Sequence, residues 1–104
     1  MMLTTTETVP GREIKEILGI AKGNTIRAKH VGKDIIAGLR TIVGGEIKEY
    51  VEAMNEAREQ ALHRLIEQAE SMGADAVVGL RFTTSQVMTG AAELLVYGTA
   101  VKFK

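Results

Sequence analysis

The chain has 104 residues, no cysteine, and 13 basic against 13 acidic residues. This length predicts one domain over residues 1–104, and the balanced charge gives no field that would attract nucleic acid or an anionic membrane. Without cysteine there are no disulfides or thiolate nucleophiles, and without a signal-peptide pattern or a long apolar run the sequence predicts a cytoplasmic protein with no membrane partner.

The first quarter of the chain predicts extended structure. The threonine-rich stretch Leu3–Thr8 is typical of a short strand, and Val9-Pro10-Gly11 is typical of a turn. The stretch Glu13–Ala28 contains several residues that disfavour a helix. It therefore predicts either one long strand or a hairpin, with Gly23-Asn24 forming a bulge or a turn.

Residues 31–43 predict a short helix, because apolar residues recur there at helical spacing. Gly44-Gly45 then forms a corner before the next helix, and its free N–H groups could hold a small anion. His30 and Asp34 are four residues apart, so one helix face would present both to a divalent metal ion. Gly32 lies between them, and glycine disfavours the helix that this site requires.

A long helix is predicted over Glu46–Met72, which contains no proline or glycine and is followed by Gly73. Arg58 falls near the middle of its apolar face. Two interpretations stay open: the side chain extends past small neighbours to water, or it is buried in a cleft or a subunit contact and paired with Glu93 or Asp75. Of the two, we expect the buried pair.

The opposite face of this helix carries Glu59, His63 and Glu67, four residues apart. Such a trio could hold zinc or a similar ion. Charged residues at this spacing are ordinary on a solvated helix face, however, so the solvated face is the favoured interpretation.

The last third predicts two antiparallel strands, Ala74–Thr84 and Ala92–Phe103, joined by a hairpin loop around Thr89-Gly90. This pairing places Glu93 or Tyr97 within reach of Arg81. The second strand is apolar on both faces, whereas a sheet covered by one helical layer should show one polar face. A second copy of the chain is the expected cover, so the sequence predicts a homo-oligomer.

Seven short stretches, taken in order, resemble the YbjQ-like family, an uncharacterised family labelled "putative heavy-metal-binding". They are Thr4-Thr5-Thr6, Pro10-Gly11, Leu18–Ile20 with Gly23, Val43-Gly44-Gly45, Glu56-Ala57-Arg58, Gly73–Gly79 and Tyr97–Val101. The resemblance implies a small α+β subunit, similar to dodecin subunits, in a pentameric ring. It marks Arg58 and the turn Gly73–Ala76 as family positions and implies no catalytic residue.

The sequence thus predicts an α+β fold: a small, mainly antiparallel sheet packed by one long and one short helix. The leading hypothesis for function is a homo-oligomer, pentameric by resemblance, that binds a small ligand, with a divalent metal ion as the candidate cofactor. The alternatives are an enzyme with an inter-subunit site and a purely structural assembly. The candidate ligand-binding residues are Arg58, Arg81, Glu93, Tyr97, Gly44 and Gly45.

Overall fold

The computed structural model describes residues 1–28 and 48–104. In chain order these form β1 (Met2–Leu3), β2 (Ile14–Ala28), α1 (Lys48–Ser71), β3 (Ala76–Met88) and β4 (Ala91–Phe103). The strands make one sheet in the order β1-β3-β4-β2. Among these described strands only β1 pairs in parallel, so the predicted α+β fold with a mainly antiparallel sheet is confirmed. The short helix predicted over residues 31–43 lies outside the described residues.

Helix α1 confirms the predicted long helix over its described part and ends where the sequence indicates. Gly73 adopts a φ of 79°, which a residue with a side chain adopts only with strain. The amide of Gly73 donates to Glu70 O at 3.0 Å, and that of Ala74 donates to Ala69 O at 3.0 Å. This pair of bonds is a Schellman motif, and it satisfies carbonyl groups that the helix end leaves free.

The helix lies directly on β2 because most residues at the contact are small. Its buried line repeats every four residues as Ala57, Ala61, Leu65 and Ala69. A Cβ atom at Gly23 would clash with Ala61 O and Leu65 N, which belong to the helix backbone. The bulge or turn predicted at Gly23-Asn24 is therefore wrong: β2 passes through it without interruption, and the glycine serves a close approach of two backbones.

Strands β3 and β4 form the predicted hairpin, but the loop contains only Thr89 and Gly90. The register shifts between Val78 and Arg81, where Gly79 has a φ of 63°. Because of this bulge, Val77 and Leu80 both pack under the helix while Ala76 and Val78 belong to a separate cluster. A simple two-residue alternation of faces therefore does not hold along β3 across the bulge.

The N-terminal segment continues along the outer edge of β3 beyond β1. Thr4 N donates to Val77 O at 3.0 Å, Leu80 N to Thr4 O at 3.0 Å, and Gly79 N to Thr6 O at 2.8 Å. The strand predicted over Leu3–Thr8 is thus only partly regular, since β1 ends at Leu3. A turn follows in which Arg12 N donates to Val9 O at 3.1 Å, as predicted. No helix among the described residues is long and apolar enough to cross a membrane.

Candidate functional site

The sheet face opposite α1, which we call the open face, carries large apolar side chains in contact with solvent. Ile17 is 70% exposed, Ile20 71%, Ile26 61% and Tyr97 40%; these four residues are the apolar patch. As predicted, this second face carries apolar side chains, and at these positions the described residues leave them exposed. The prediction of an uncovered second face is wrong for two of the residues on which it was based, because Val101 and Phe103 are only 0% and 8% exposed.

Those two residues are covered from within the chain. Val101 and Phe103 cluster with Ala76 and Val78, and the side chains of Val9 and Ile14 pack against them. The sequence did not indicate this cover, because the segment around Val9 has no apolar periodicity. Among the residues that the structure describes, the open face is therefore covered at one end and exposed at the other.

Arg81 and Tyr97 lie beside each other on the open face, since their Cα atoms are partners in the β3–β4 ladder. Arg81 Nη1 donates to the carbonyls of Thr5, at 2.9 Å, and Leu80, at 2.8 Å. This confirms Tyr97 as a neighbour of Arg81. Glu93 is the ladder partner of Ser85 instead.

A cavity of about 390 Å³ lies beside Arg81 on the same face, and we call it the Arg81 pocket. Its lining combines aliphatic side chains with one cation and one anion. The lining residues are Glu7, Ile14, Ile17, Val78, Gly79, Arg81, Thr99 and Val101. Glu7 was not among the predicted site residues, and nothing in its sequence context marks it.

Arg58 is exposed and donates from Nη1 to Asn55 Oδ1 at 3.1 Å. The expected partners are otherwise engaged: Asp75 Oδ2 accepts from Phe103 N at 2.9 Å, and Glu93 Oε2 accepts from Asn24 Nδ2 at 3.1 Å. The buried pair is therefore wrong for contacts within the described chain, and its form in a subunit contact stays a prediction. The buried line of α1 passes through Ala57 and Ala61, which turns Arg58 outward.

The side chains that could bind a metal do not form a site in the part of the chain that the structure describes. No group of three or more histidine, aspartate or glutamate side chains comes together there. Of the trio on the acidic face of α1, His63 Nε2 contacts Glu67 Oε1 at 2.8 Å in solvent. With no cysteine in the chain, these donors do not fit a soft heavy metal. His30, Asp34, Gly44 and Gly45 lie outside the described residues.

Side chains of α1 cap the outer edge of β2, which sequence reasoning missed. Gln68 Oε1 accepts from Lys22 N at 2.6 Å, and Arg64 Nη1 donates to Asn24 O at 2.6 Å. The central part of this edge is thus closed to pairing with another strand. A sequence signal for this contact did exist. Arg64 and Gln68 are four residues apart, and each immediately precedes a residue of the buried line.

Comparison with known proteins gives one family over the whole chain. A YbjQ family model, described as "Putative heavy-metal-binding", matches residues 1–104. A UPF0145 protein of Archaeoglobus fulgidus is 65% identical over 104 residues, covering 100% of this chain and 96% of the relative. Another, from Methanosarcina acetivorans, is 61% identical over 102 residues, covering 98% and 96%.

A solved structure has the same fold. It is a protein of unknown function from Pediococcus pentosaceus, assigned to the DUF74 family, which superposes with a TM-score of 0.66 at 18% identity. The match covers 100% of this chain and 98% of that chain. At this identity the likeness concerns the fold alone.

Proposed function

The chain belongs to the YbjQ-like family, and we propose that it is one subunit of a homo-oligomer that binds a small ligand on the open face. The observation that carries the proposal is the apolar patch of Ile17, Ile20, Ile26 and Tyr97. Large apolar side chains exposed on one sheet face indicate an interaction site. The resemblance adds a ring of five subunits.

Charge favours a second copy of the chain as the cover. On the open face Lys22 and Arg81 flank Tyr97, while Glu93 lies further along β4 beside Ile26. In a ring, each subunit contacts the next head to tail, so the Glu93 end of one open face can approach Lys22 on the next subunit. The chain has a formal net charge of zero, so two copies do not repel each other at long range.

Burial of the apolar patch supplies a driving force of suitable size. Covering one isoleucine side chain contributes about 1.5–3 kcal/mol, and the patch contains three, all more than half exposed. Association costs about 4–15 kcal/mol in lost freedom of motion. The patch therefore requires further contacts at its rim, and the ion pairs described above would supply them.

The candidate ligand-binding residues divide between the two sides of the sheet. Arg81, Tyr97 and Glu93 are on β3 and β4, and Arg58 is on α1, so a site with all four needs a second subunit. We therefore place the ligand beside Arg81 and Tyr97. Binding at Gly44-Gly45, a divalent metal ion at His30 and Asp34, a cytoplasmic location and an enzymatic inter-subunit site all stay predictions.

Light scattering on size-separated protein tests the assembly. At micromolar concentration we expect a particle of five times the chain mass of 11.2 kDa. Ile20→Asp should lower that mass, because it places a carboxylate in the middle of the contact. Val87→Asp is the control, since Val87 is exposed but lies outside the apolar patch. A monomeric wild type, or an Ile20→Asp variant with unchanged mass, would contradict the proposal.

A further inference from the structure

We propose that the Arg81 pocket binds a small amino acid with a branched aliphatic side chain. Arg81 would bind the carboxylate and Glu7 the ammonium group, while the aliphatic wall of the pocket packs against the side chain. This inference rests on the proposed function in that it names the ligand class for the open face. It does not depend on assembly, because all the lining residues belong to one chain.

Arg81 is held in place by two carbonyl groups and keeps donors for a ligand. Its hydrogen bonds to Thr5 O and Leu80 O both use Nη1. Within residues 1–28 and 48–104, no hydrogen bond to the protein engages Nε or Nη2. A carboxylate accepts two parallel hydrogen bonds from that side of a guanidinium group, so a fixed arginine of this kind suits a carboxylate ligand.

Glu7 supplies the opposite charge from a fixed stretch of backbone. On one side of it, Thr6 O accepts from Gly79 N at 2.8 Å. On the other, Thr8 O accepts from Thr6 Oγ1 at 2.7 Å. The ion pairs of the described residues do not include Glu7, although it lines the same cavity as Arg81. Two opposite charges that face one cavity without pairing are complementary to a zwitterion.

The remaining lining limits the size and character of the ligand. Ile14, Ile17, Val78 and Val101 make the wall aliphatic. The volume of about 390 Å³ lies at the lower end of the range for small-molecule sites, roughly 300–1,000 Å³. One arginine beside one carboxylate gives no excess of positive charge, which disfavours phosphates and nucleotides. A short amino acid satisfies the charges and the wall together.

The open side of the pocket adjoins the apolar patch. Ile17 belongs to both, and Thr99, which lines the pocket, is the ladder partner of Ile20. A second copy seated on the apolar patch would therefore close the pocket and exclude water from the ligand. Ligand binding and assembly should then strengthen each other.

Calorimetric titration with three related probes tests the ligand class. L-leucine has both charged groups, 4-methylpentanoate lacks the ammonium group, and 3-methylbutylamine lacks the carboxylate. We expect L-leucine to bind, and each analogue to bind at least about tenfold more weakly, because each leaves one charged side chain without its partner. Equal binding of L-leucine and 4-methylpentanoate would overturn the role of Glu7 and leave a simple carboxylate site.

Two variants test which side chain binds which charged group of the ligand. Glu7→Gln should weaken L-leucine about tenfold and leave 4-methylpentanoate unchanged, whereas Arg81→Gln should weaken both acids. Glu16→Gln is the matched control, since Glu16 is an exposed carboxylate on β2 outside the pocket. Circular dichroism of each variant separates loss of binding from loss of fold. Failure of wild-type protein to bind any probe would overturn the inference.

Light scattering on the same samples separates this inference from the proposed assembly. A monomer that binds L-leucine contradicts the oligomer and supports the pocket. An oligomer that binds none of the probes does the reverse.

Discussion

The two faces of one sheet are built differently, although the same strand supplies both. On the helix side of β4, Leu94, Val96 and Ala100 are buried beneath α1 or beside it. On the other side, Tyr97 is 40% exposed. The helix side is closed by small residues that allow backbone contact between α1 and β2. The open face has no comparable layer among the described residues.

The two ends of the open face also differ in how well the chain buries their apolar side chains. At one end, the N-terminal segment crosses Val101 and Phe103, and the Arg12 guanidinium lies 4.3 Å from the centre of the Phe103 ring. Lys104 N donates to Glu13 O at 2.9 Å, and Lys104 Nζ lies 3.1 Å from Glu13 Oε1. At the other end, Ile20 and Ile26 are exposed, and no described segment crosses them. This difference is the reason for proposing a second copy as the cover of the exposed end.

The largest effect should come from a charge at the covered end. Val101→Asp buries an unpaired carboxylate among apolar side chains, because Val101 is fully buried within the chain. We expect the free energy of unfolding to fall by about 4 kcal/mol or more. Denaturant unfolding followed by circular dichroism measures it.

Ile20→Asp is the comparison for this change, since the same carboxylate then enters the uncovered end. It should leave the secondary structure intact and act on assembly alone. A similar fall in the free energy of unfolding in both variants would contradict the difference in burial between the two ends of the open face.

A smaller effect is expected where α1 meets β2. Gly23→Ala adds a Cβ atom that meets the carbonyl of Ala61 and the amide of Leu65. Neither backbone group can rotate away, so the helix must shift. We expect the free energy of unfolding, measured in urea, to fall by about 1–3 kcal/mol. Lys22→Ala is the control at the neighbouring position, which is exposed. A stable Gly23→Ala protein would show that the helix packs less closely than described.

The sequence was most informative where local chemistry decides the structure. Helix α1 has a single uninterrupted periodic pattern and a glycine at its end, and the prediction agrees with the structure over the described part. The hairpin loop at Thr89-Gly90 is likewise a local signal. Its length was overestimated, because threonine and serine near the turn resemble loop residues even when they continue a strand.

The predictions were wrong where contacts between distant parts of the chain determine the local structure. Gly23 resembles a turn residue, and only the approach of the Ala61 backbone shows why glycine is needed. The bulge at Gly79 reverses the alternation of β3, which no period-two pattern can reveal. Glu7 joins Arg81 only because the N-terminal segment runs along β3, a long-range pairing without a sequence signal.

The smallest effect is expected at Arg58, on the outer surface of α1. Its described hydrogen bond goes to Asn55, and both residues are exposed, so Arg58→Met should change the free energy of unfolding by no more than about 0.5 kcal/mol. Combined with Glu93→Gln, the two effects should add to within about 0.5 kcal/mol, because the side chains are not in contact. Denaturant unfolding of both single variants and the double variant measures this. A loss of about 3–5 kcal/mol, the cost of stranding a buried partner, would contradict the exposed placement and show that a neighbouring subunit buries Arg58 in a paired contact.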